Sequence, residues 1–213
     1  MNAVLRSALA AVLALVVAGA AQAQASTKPV TFVVPFSAGG QADVIGRQVA
    51  AALQKALQQT TVVENIAGAG GAIAARRVLD APADGHTVFE ASPSQLILAG
   101  LVNRDIKFKS EDFRAIHMIG TSTYAIMVRS DLPARNADEL AALARDEAKK
   151  GKPLTYASVG VGTLNHLLGE ELSRRIDTPM VHVPYKGGAD VMRDLVGGRV
   201  DVLLNIYTAQ QIA

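Results

Sequence analysis

Three segments of the chain concentrate the residue types that capture a small anion. They are Pro35-Phe36-Ser37-Ala38-Gly39-Gly40, Ala91-Ser92-Pro93-Ser94 and Ala157-Ser158-Val159-Gly160-Val161-Gly162-Thr163. Hydroxyls at Ser37, Ser92, Ser94, Ser158 and Thr163 offer oriented donors. The glycines let a ligand reach the backbone without side-chain obstruction. The first and third segments run into Gln41–Asp43 and Thr163–Asn165, the opening turns of amphipathic stretches. A helix start leaves its first N–H groups without intrahelical partners, and such groups bind anions. The chemistry predicted is metal-free capture of a small carboxylate or phosphate. The plainer alternative is that the glycines only permit tight strand-to-helix turns. That reading loses ground because two such loops recur, one in each half of the chain.

Other chemistries fit less well. Gly68-Ala69-Gly70 continues to Ile73 where a dinucleotide fingerprint needs Gly, and no Gly-Lys-Ser/Thr follows a glycine-rich turn. Lys186-Gly187-Gly188 has that order reversed. Tyr156-Ala157-Ser158-Val159-Gly160 imitates half of a nucleophile elbow, so an exported serine hydrolase using Ser158 is the alternative from another class. His166, on the helix that follows, is badly placed as its base. The four histidines, His86, His117, His166 and His182, show no His-x-x-x-His spacing, and no metal or other cofactor is expected. Asp43 reads as a helix cap or dipole partner.

These loops need strands to carry them and helices to receive them. Val30–Val34 reads as a strand, and Ile45, Val49, Leu53 and Leu57 mark one helix face. Val62-Val63, an Ala-rich helix from the Gly68–Gly71 turn to Leu79, and a strand at His86–Phe89 complete a β-α-β-α-β series. A short helix is expected around Gln95–Val102, a polar loop at Lys107–Asp112, and strands at Ala115–Ile119 and Tyr124–Val128. Asn136 caps a helix carrying Leu140, Leu143, Ala144 and Ala148. A second series follows: a strand at Leu154–Ala157, a helix with Leu164, Leu167, Leu168 and Leu172, a strand at Met180–Val183, a helix with Val191, Leu195 and Val196, and a strand at Val200–Asn205. Alternation of this kind predicts an α/β fold with parallel sheets, whose ligand crevice lies at the carboxyl ends of the strands. The chain stops on that last strand, with no further helix to cover its flank, so truncation at the C-terminus is expected.

The composition sets limits on function. The 213 residues carry 21 Lys+Arg against 19 Asp+Glu, and a formal net charge of +2 provides no field to gather nucleic acid. With 50% hydrophobic and 19% charged residues the chain can bury a core, and without cysteine it has neither disulfides nor thiolate chemistry. Residues 1–25 combine Arg6, an apolar run from Ala8 to Ala20 and Ala21-Gln22-Ala23-Gln24-Ala25. This is the pattern of a Sec signal peptide cleaved near Ala23 or Ala25, and it predicts a soluble periplasmic protein.

Taken in order, Val34-Pro35-Phe36-Ser37-Ala38-Gly39-Gly40-Gln41-Ala42-Asp43, Val63-Glu64-Asn65 with Gly68-Ala69-Gly70-Gly71, and Ala83-Asp84-Gly85-His86-Thr87 resemble the Bug family, the receptors of tripartite tricarboxylate transporters. The likeness continues through Tyr156-Ala157-Ser158 to Gly162-Thr163 with His166, Val183-Pro184-Tyr185-Lys186-Gly187, and Asp194-Leu195 to Gly197-Gly198 and Val200-Asp201. It implies a two-lobed periplasmic binding protein of type II, a Venus flytrap, with lobes at 26–124 and 125–213 and a hinge near 120–130. It further implies a monomer without enzymatic activity that closes on a small carboxylated solute and hands it to membrane permease subunits. The ligand loops then map onto Phe36, Ser37, Ala38, Gly39 and Gly40, onto Ser92 and Ser94, onto Ser158, Gly160, Val161, Gly162 and Thr163, and onto Asn205, where the family often has Asp. Ile66-Ala67 and Asp190 depart from the family pattern at a turn and a helix start. Members run on for roughly another hundred residues that return to the first lobe, so both lobes are expected to be incomplete, and a non-functional fragment of a receptor is a further alternative.

Overall fold

The chain alternates strand and helix because its apolar residues alternate period. The computed structural model describes residues 28–206, so the expected signal peptide and the last seven residues lie outside it. Val30–Val34 forms β1, buried at Val30, Phe32, Val33 and Val34. Thr61–Asn65 (β2) and Thr87–Phe89 (β3) pair with it in parallel, in the order β2-β1-β3. A central strand buried on both faces needs helices on both faces. Helix α1 (Gln41–Leu57) covers Phe32 and Val34 with Val49, Ala50 and Leu53. Helix α2 (Ala72–Leu79) covers the other face through Ala72 and Ala75, with Phe89 and Phe108. Leu57, expected on the buried stripe, is half-exposed. The helix is the reason: 17 residues run about 25 Å, whereas a five-residue strand runs about 17 Å, so the last turn overhangs the sheet.

The second sheet has the order β4-β7-β5-β6. Its parallel strands are Thr155–Ser158 (β5), Val181–Pro184 (β6) and Val202–Ile206 (β7), and Tyr124–Val128 (β4) runs antiparallel to β7. Helices α4 (Ala137–Lys149) and α5 (Leu164–Arg175) pack on one face against Tyr156, Val202 and Leu204, and α6 (Gly188–Val196) packs on the other against Leu203. The expectation of an uncovered final strand is therefore corrected. β4 occupies the flank of β7, and Val202, Leu203 and Leu204 are buried between helices. Asn136 caps α4: its Oδ1 accepts from Glu139 N at 2.9 Å, while Glu139 Oε2 accepts from Arg135 N, one residue before the cap, at 2.7 Å.

Between the sheets, a π-helical turn at Ser94–Leu98 continues into α3 (Ala99–Val102), where a short helix was expected. The strand expected at Ala115–Ile119 does not form. Residues 114–123 take no regular structure and pair with no strand, with Ile116 77% and Met118 72% exposed. Alternating hydrophobicity makes a strand only where a neighbour takes up its backbone groups, and none of the described strands lies beside this segment.

Candidate functional site

The loop after β1 reaches α1 with its backbone held from below. Asp43 Oδ2, in the first turn of α1, accepts from Gly39 N at 2.9 Å and from Arg47 Nε at 3.0 Å. Asn65 Nδ2, at the end of β2, donates to Phe36 O at 3.2 Å, and Arg47 Nη2 donates to Asn65 Oδ1 at 3.3 Å. Burial alone would raise the Asp43 carboxyl, but hydrogen bonds from Arg47, Gly39 and Asn65 outweigh it and hold the group below its ordinary value. The N-cap position is Gly40, and Asp43, in the first turn, holds the loop before it through Gly39 N and complements the helix dipole. Beneath it, Glu90 follows β3 with Oε2 buried and unpartnered, and burial followed by the neighbouring Asp43 charge pushes its carboxyl up to about 7.

The loop after β5 is held from within. Ser158 is fully buried; its Oγ accepts from Gly160 N at 3.1 Å and lies 2.7 Å from His182 Nε2 on β6. Thr163 Oγ1 donates to Gly160 O at 2.6 Å, and Gly162 N donates to His166 Nδ1 at 3.2 Å. Below the loop, the His182 ring lies against Tyr156 and His166, with centroids 4.9 and 4.2 Å away. The Tyr156 hydroxyl donates to Glu170. Burial, then the Glu170 hydrogen bond, keeps that phenol well above its usual range. Burial, then the nearby His166, lowers the His182 pKa.

The two loop systems meet backbone to backbone. Gly160, at φ +137°, lies so close to Gly70 that a Cβ on it would come 3.2 Å from the Gly70 Cα and N. No residue but glycine fits both that conformation and that space. Ser94 Oγ accepts from Leu164 N at 3.1 Å, the first residue of α5, and Gln95 Nε2 donates to Gly70 O at 2.9 Å. On the other side of the seam, Ser37 N donates to Lys186 O at 3.4 Å, and a Cβ on Gly187 would come 2.9 Å from Ser37 Cβ.

The structure therefore brings Ser94 to the 158–164 loop, but sets the 36–40 loop against Lys186-Gly187-Gly188. Ser92 Oγ donates to Gln95 Oε1 at 2.8 Å, and Asn205 Oδ1 accepts from Asn165 Nδ2 at 2.9 Å. Within the chain, the Ser92, Ser158 and Thr163 hydroxyls are engaged by neighbouring side chains or loop backbone, and the Ser94 hydroxyl accepts from Leu164 N. The backbone donors divide in the same way. Gly39, Gly160 and Gly162 are claimed internally, whereas among the described residues nothing accepts from Ala38 N, Gly40 N, Gln41 N or Val161 N. Gly70, Gln95, His166, His182, Gly187 and Gly188 are neighbours of the site that sequence reasoning missed. The glycine clusters at 68–71 and 187–188, which fail as nucleotide motifs, are the signal in the sequence, because glycine permits close backbone approach. Two surface grooves of about 420 and 390 Å³, one beside Gln54 and Lys55 and one beside Arg129 and Asp201, lie away from these loops. Among the described residues no three His, Cys, Asp or Glu side chains gather around a common point.

Parallel strands that deliver glycine-rich loops to a shared seam give the chain an α/β fold that matches periplasmic binding proteins, and solved structures of that class superpose on it. MatC (Rpa3494) from Rhodopseudomonas palustris with bound malate matches at a TM-score of 0.78 and 27% identity over 85% of this chain and 61% of that one. R. palustris Rpa4515 with adipate matches at 0.73 and 30%, over 85% and 60%. The chain belongs to the tripartite tricarboxylate transporter family receptors, whose sequence model matches residues 45–212. Protein BugT of Bordetella pertussis is 34% identical over 81% of this chain and 53% of its own length. Against the curated relatives it matches over most of its length, the chain spans between 52% and 62% of theirs.

Proposed function

We propose that the chain is the ligand-gripping portion of an extracytoplasmic receptor for a small dicarboxylate. In this reading residues 1–25 direct export to the periplasm, a monomer of lobes 26–124 and 125–213 closes about a hinge near 120–130, and permease subunits of a tripartite tricarboxylate transporter receive the solute. The observation that carries the reading is the set of unclaimed N–H groups at Ala38, Gly40, Gln41 and Val161, which lie on loops from both sheets. Gly40 is itself buried, and a buried N–H without an acceptor is costly unless a ligand supplies one. A carboxylate at each end of one solute draws both loops together, which is the differential affinity that closure requires. Malate and adipate, present in the related structures, supply that chemistry.

The 2.7 Å contact of Ser158 with His182 favours the hydrolase reading at first sight. It fails as a nucleophile because Ser158 is fully enclosed and its oxygen is already engaged by Gly160. Calorimetry of the chain with malate and adipate, alongside ester hydrolysis assays, tests the proposal. Saturable binding and no turnover are expected. Replacement of Ser158 by Ala should weaken binding by loosening the loop. Ester turnover abolished in Ser158→Ala, with no dicarboxylate bound by the parent, would overturn it.

A further inference from the structure

Beneath the Gly160–Gly162 loop, one hydrogen bond ties the loop backbone to an imidazole that faces a carboxylate. Gly162 N donates to His166 Nδ1 at 3.2 Å, so that nitrogen carries a lone pair. The other ring nitrogen, Nε2, faces Glu170 Oε1 at 3.8 Å, and the carboxylate in turn accepts from the Tyr156 hydroxyl. An imidazole nitrogen that accepts from an N–H carries no proton of its own, so a neutral ring has its proton on the other nitrogen. Gly162 therefore donates to a neutral imidazole with its proton on Nε2.

A second proton changes the sense of this contact. Placed on Nδ1, it converts the acceptor into a donor, and the Gly162 N–H loses its partner. Two donors then face the position where one acceptor stood, with the unclaimed N–H of Val161 adjacent in the chain. An anionic oxygen satisfies that arrangement, and charge assistance from the imidazolium strengthens it. We infer that His166 is a positioning residue for the carboxylate: while neutral it holds the Gly162 N–H, and on taking a proton from solvent at Nδ1 it yields that N–H to the ligand. The inference rests on the carboxylate-receptor reading. It assigns that receptor a coupling between solute capture and proton uptake.

The groups that face His166 support the assignment. Glu170, from the same helix, stabilises a charged ring. Tyr156, from β5, keeps its phenolic proton and adds no charge. His182, from β6, lies 4.2 Å from it ring to ring. Two imidazolium ions at that distance repel, and burial already disfavours the charged form of His182. Of the two rings, His166 is therefore the one to which the switch is assigned, its side chain 18% exposed and within reach of solvent.

Two measurements on the full chain test this, the first without ligand. In isotope-labelled protein followed by NMR from pH 5 to 8, where imidazoles change charge, the Gly162 amide should shift with the same midpoint as the His166 ring. In His166→Asn, whose Oδ1 replaces Nδ1 as an acceptor that cannot titrate, the Gly162 amide should stay still. The second is calorimetry with malate in buffers of different ionisation enthalpy. The parent should take up a fraction of a proton on binding, and its affinity should tighten by up to about tenfold per pH unit on the acid side; His166→Asn should show neither effect. A Gly162 amide indifferent to the His166 titration, or malate binding without proton uptake, overturns the inference. Absence of malate binding at every pH overturns the receptor reading instead, and the ligand-free titration of the parent still decides the role of His166.

Discussion

Gly169 lies in the middle of α5 and is buried. In an exposed helix, replacing Gly by Ala stabilises by about 1 kcal/mol. Here a Cβ would come 2.1, 2.3 and 2.9 Å from three ring atoms of Tyr156. Carbon atoms rest about 3.5–4.0 Å apart, so ring or helix must move by about 1.5 Å. The ring has nowhere to go: Tyr156 is fully buried, stacked on His182 at 4.9 Å and tied to Glu170 through its hydroxyl. Overpacking costs about 1–3 kcal/mol, and three contacts below 3.0 Å place this site in the upper part of that range, about 2–3 kcal/mol, so after the helix-propensity gain Gly169→Ala should lose about 1–2 kcal/mol net. For a chain of this size that lowers Tm by roughly 2–8 °C. The chain has no Trp, so circular dichroism is the suitable probe for thermal and urea unfolding. Gly100→Ala is the control, because the nearest atom to its Cβ would be Phe108 O at an ordinary 3.8 Å. It should be neutral or slightly stabilising. If Gly169→Ala proved as stable as Gly100→Ala, the reasoning from ring confinement would be wrong.

Glu90, with its carboxyl pushed up to about 7 by burial and by Asp43, binds a proton more tightly folded than unfolded. Stability should therefore fall as pH rises from its usual 4.5 to about 7 and level off above. Glu90→Gln should remove that slope and stabilise the chain near pH 7.5 by about 1–2 kcal/mol, allowing for the solvent that still reaches the side chain. A urea midpoint unchanged by the substitution would count against it. Asp201 behaves in the opposite sense. Burial raises its carboxyl, but hydrogen bonds from Thr155 N, Arg129 and the Thr155 hydroxyl outweigh this and hold it below its ordinary value. Its contribution is thus complete at neutral pH and is lost as pH falls through the lowered pKa. Asp201→Asn should cost about 1.5–3 kcal/mol at pH 7 and flatten the acid limb of the stability profile; a variant with the parent's acid limb would refute that account.

The sequence by itself determined the layered α/β architecture, because the periods of its apolar residues leave little choice of element. It also determined where the glycine-rich loops sit, since Gly39-Gly40 and Gly160 to Gly162 fall where strands end and helices begin. Helix-start contacts written in adjacent residues, such as Asn136 with Glu139 and Asp43 with Gly39, were legible for the same reason: their partners lie three or four residues away. What depended on distant partners was not. Residues 115–119 have the pattern of a strand, but whether a strand forms depends on a neighbour that periodicity does not reveal. The last strand appeared uncovered until β4 was found antiparallel beside it, a pairing set by residues about 80 positions apart (Tyr124 with Ile206). Ser158 and Thr163 read as donors to a ligand, and their contacts within the chain, to the loop and from Ser158 to His182 across the sheet, are set only by the tertiary structure. Glycine placement shows that backbone comes close to something. Only the fold decided that, at Gly160, the partner is the backbone of Gly70, because close approach requires two segments and each sequence motif describes only one of them.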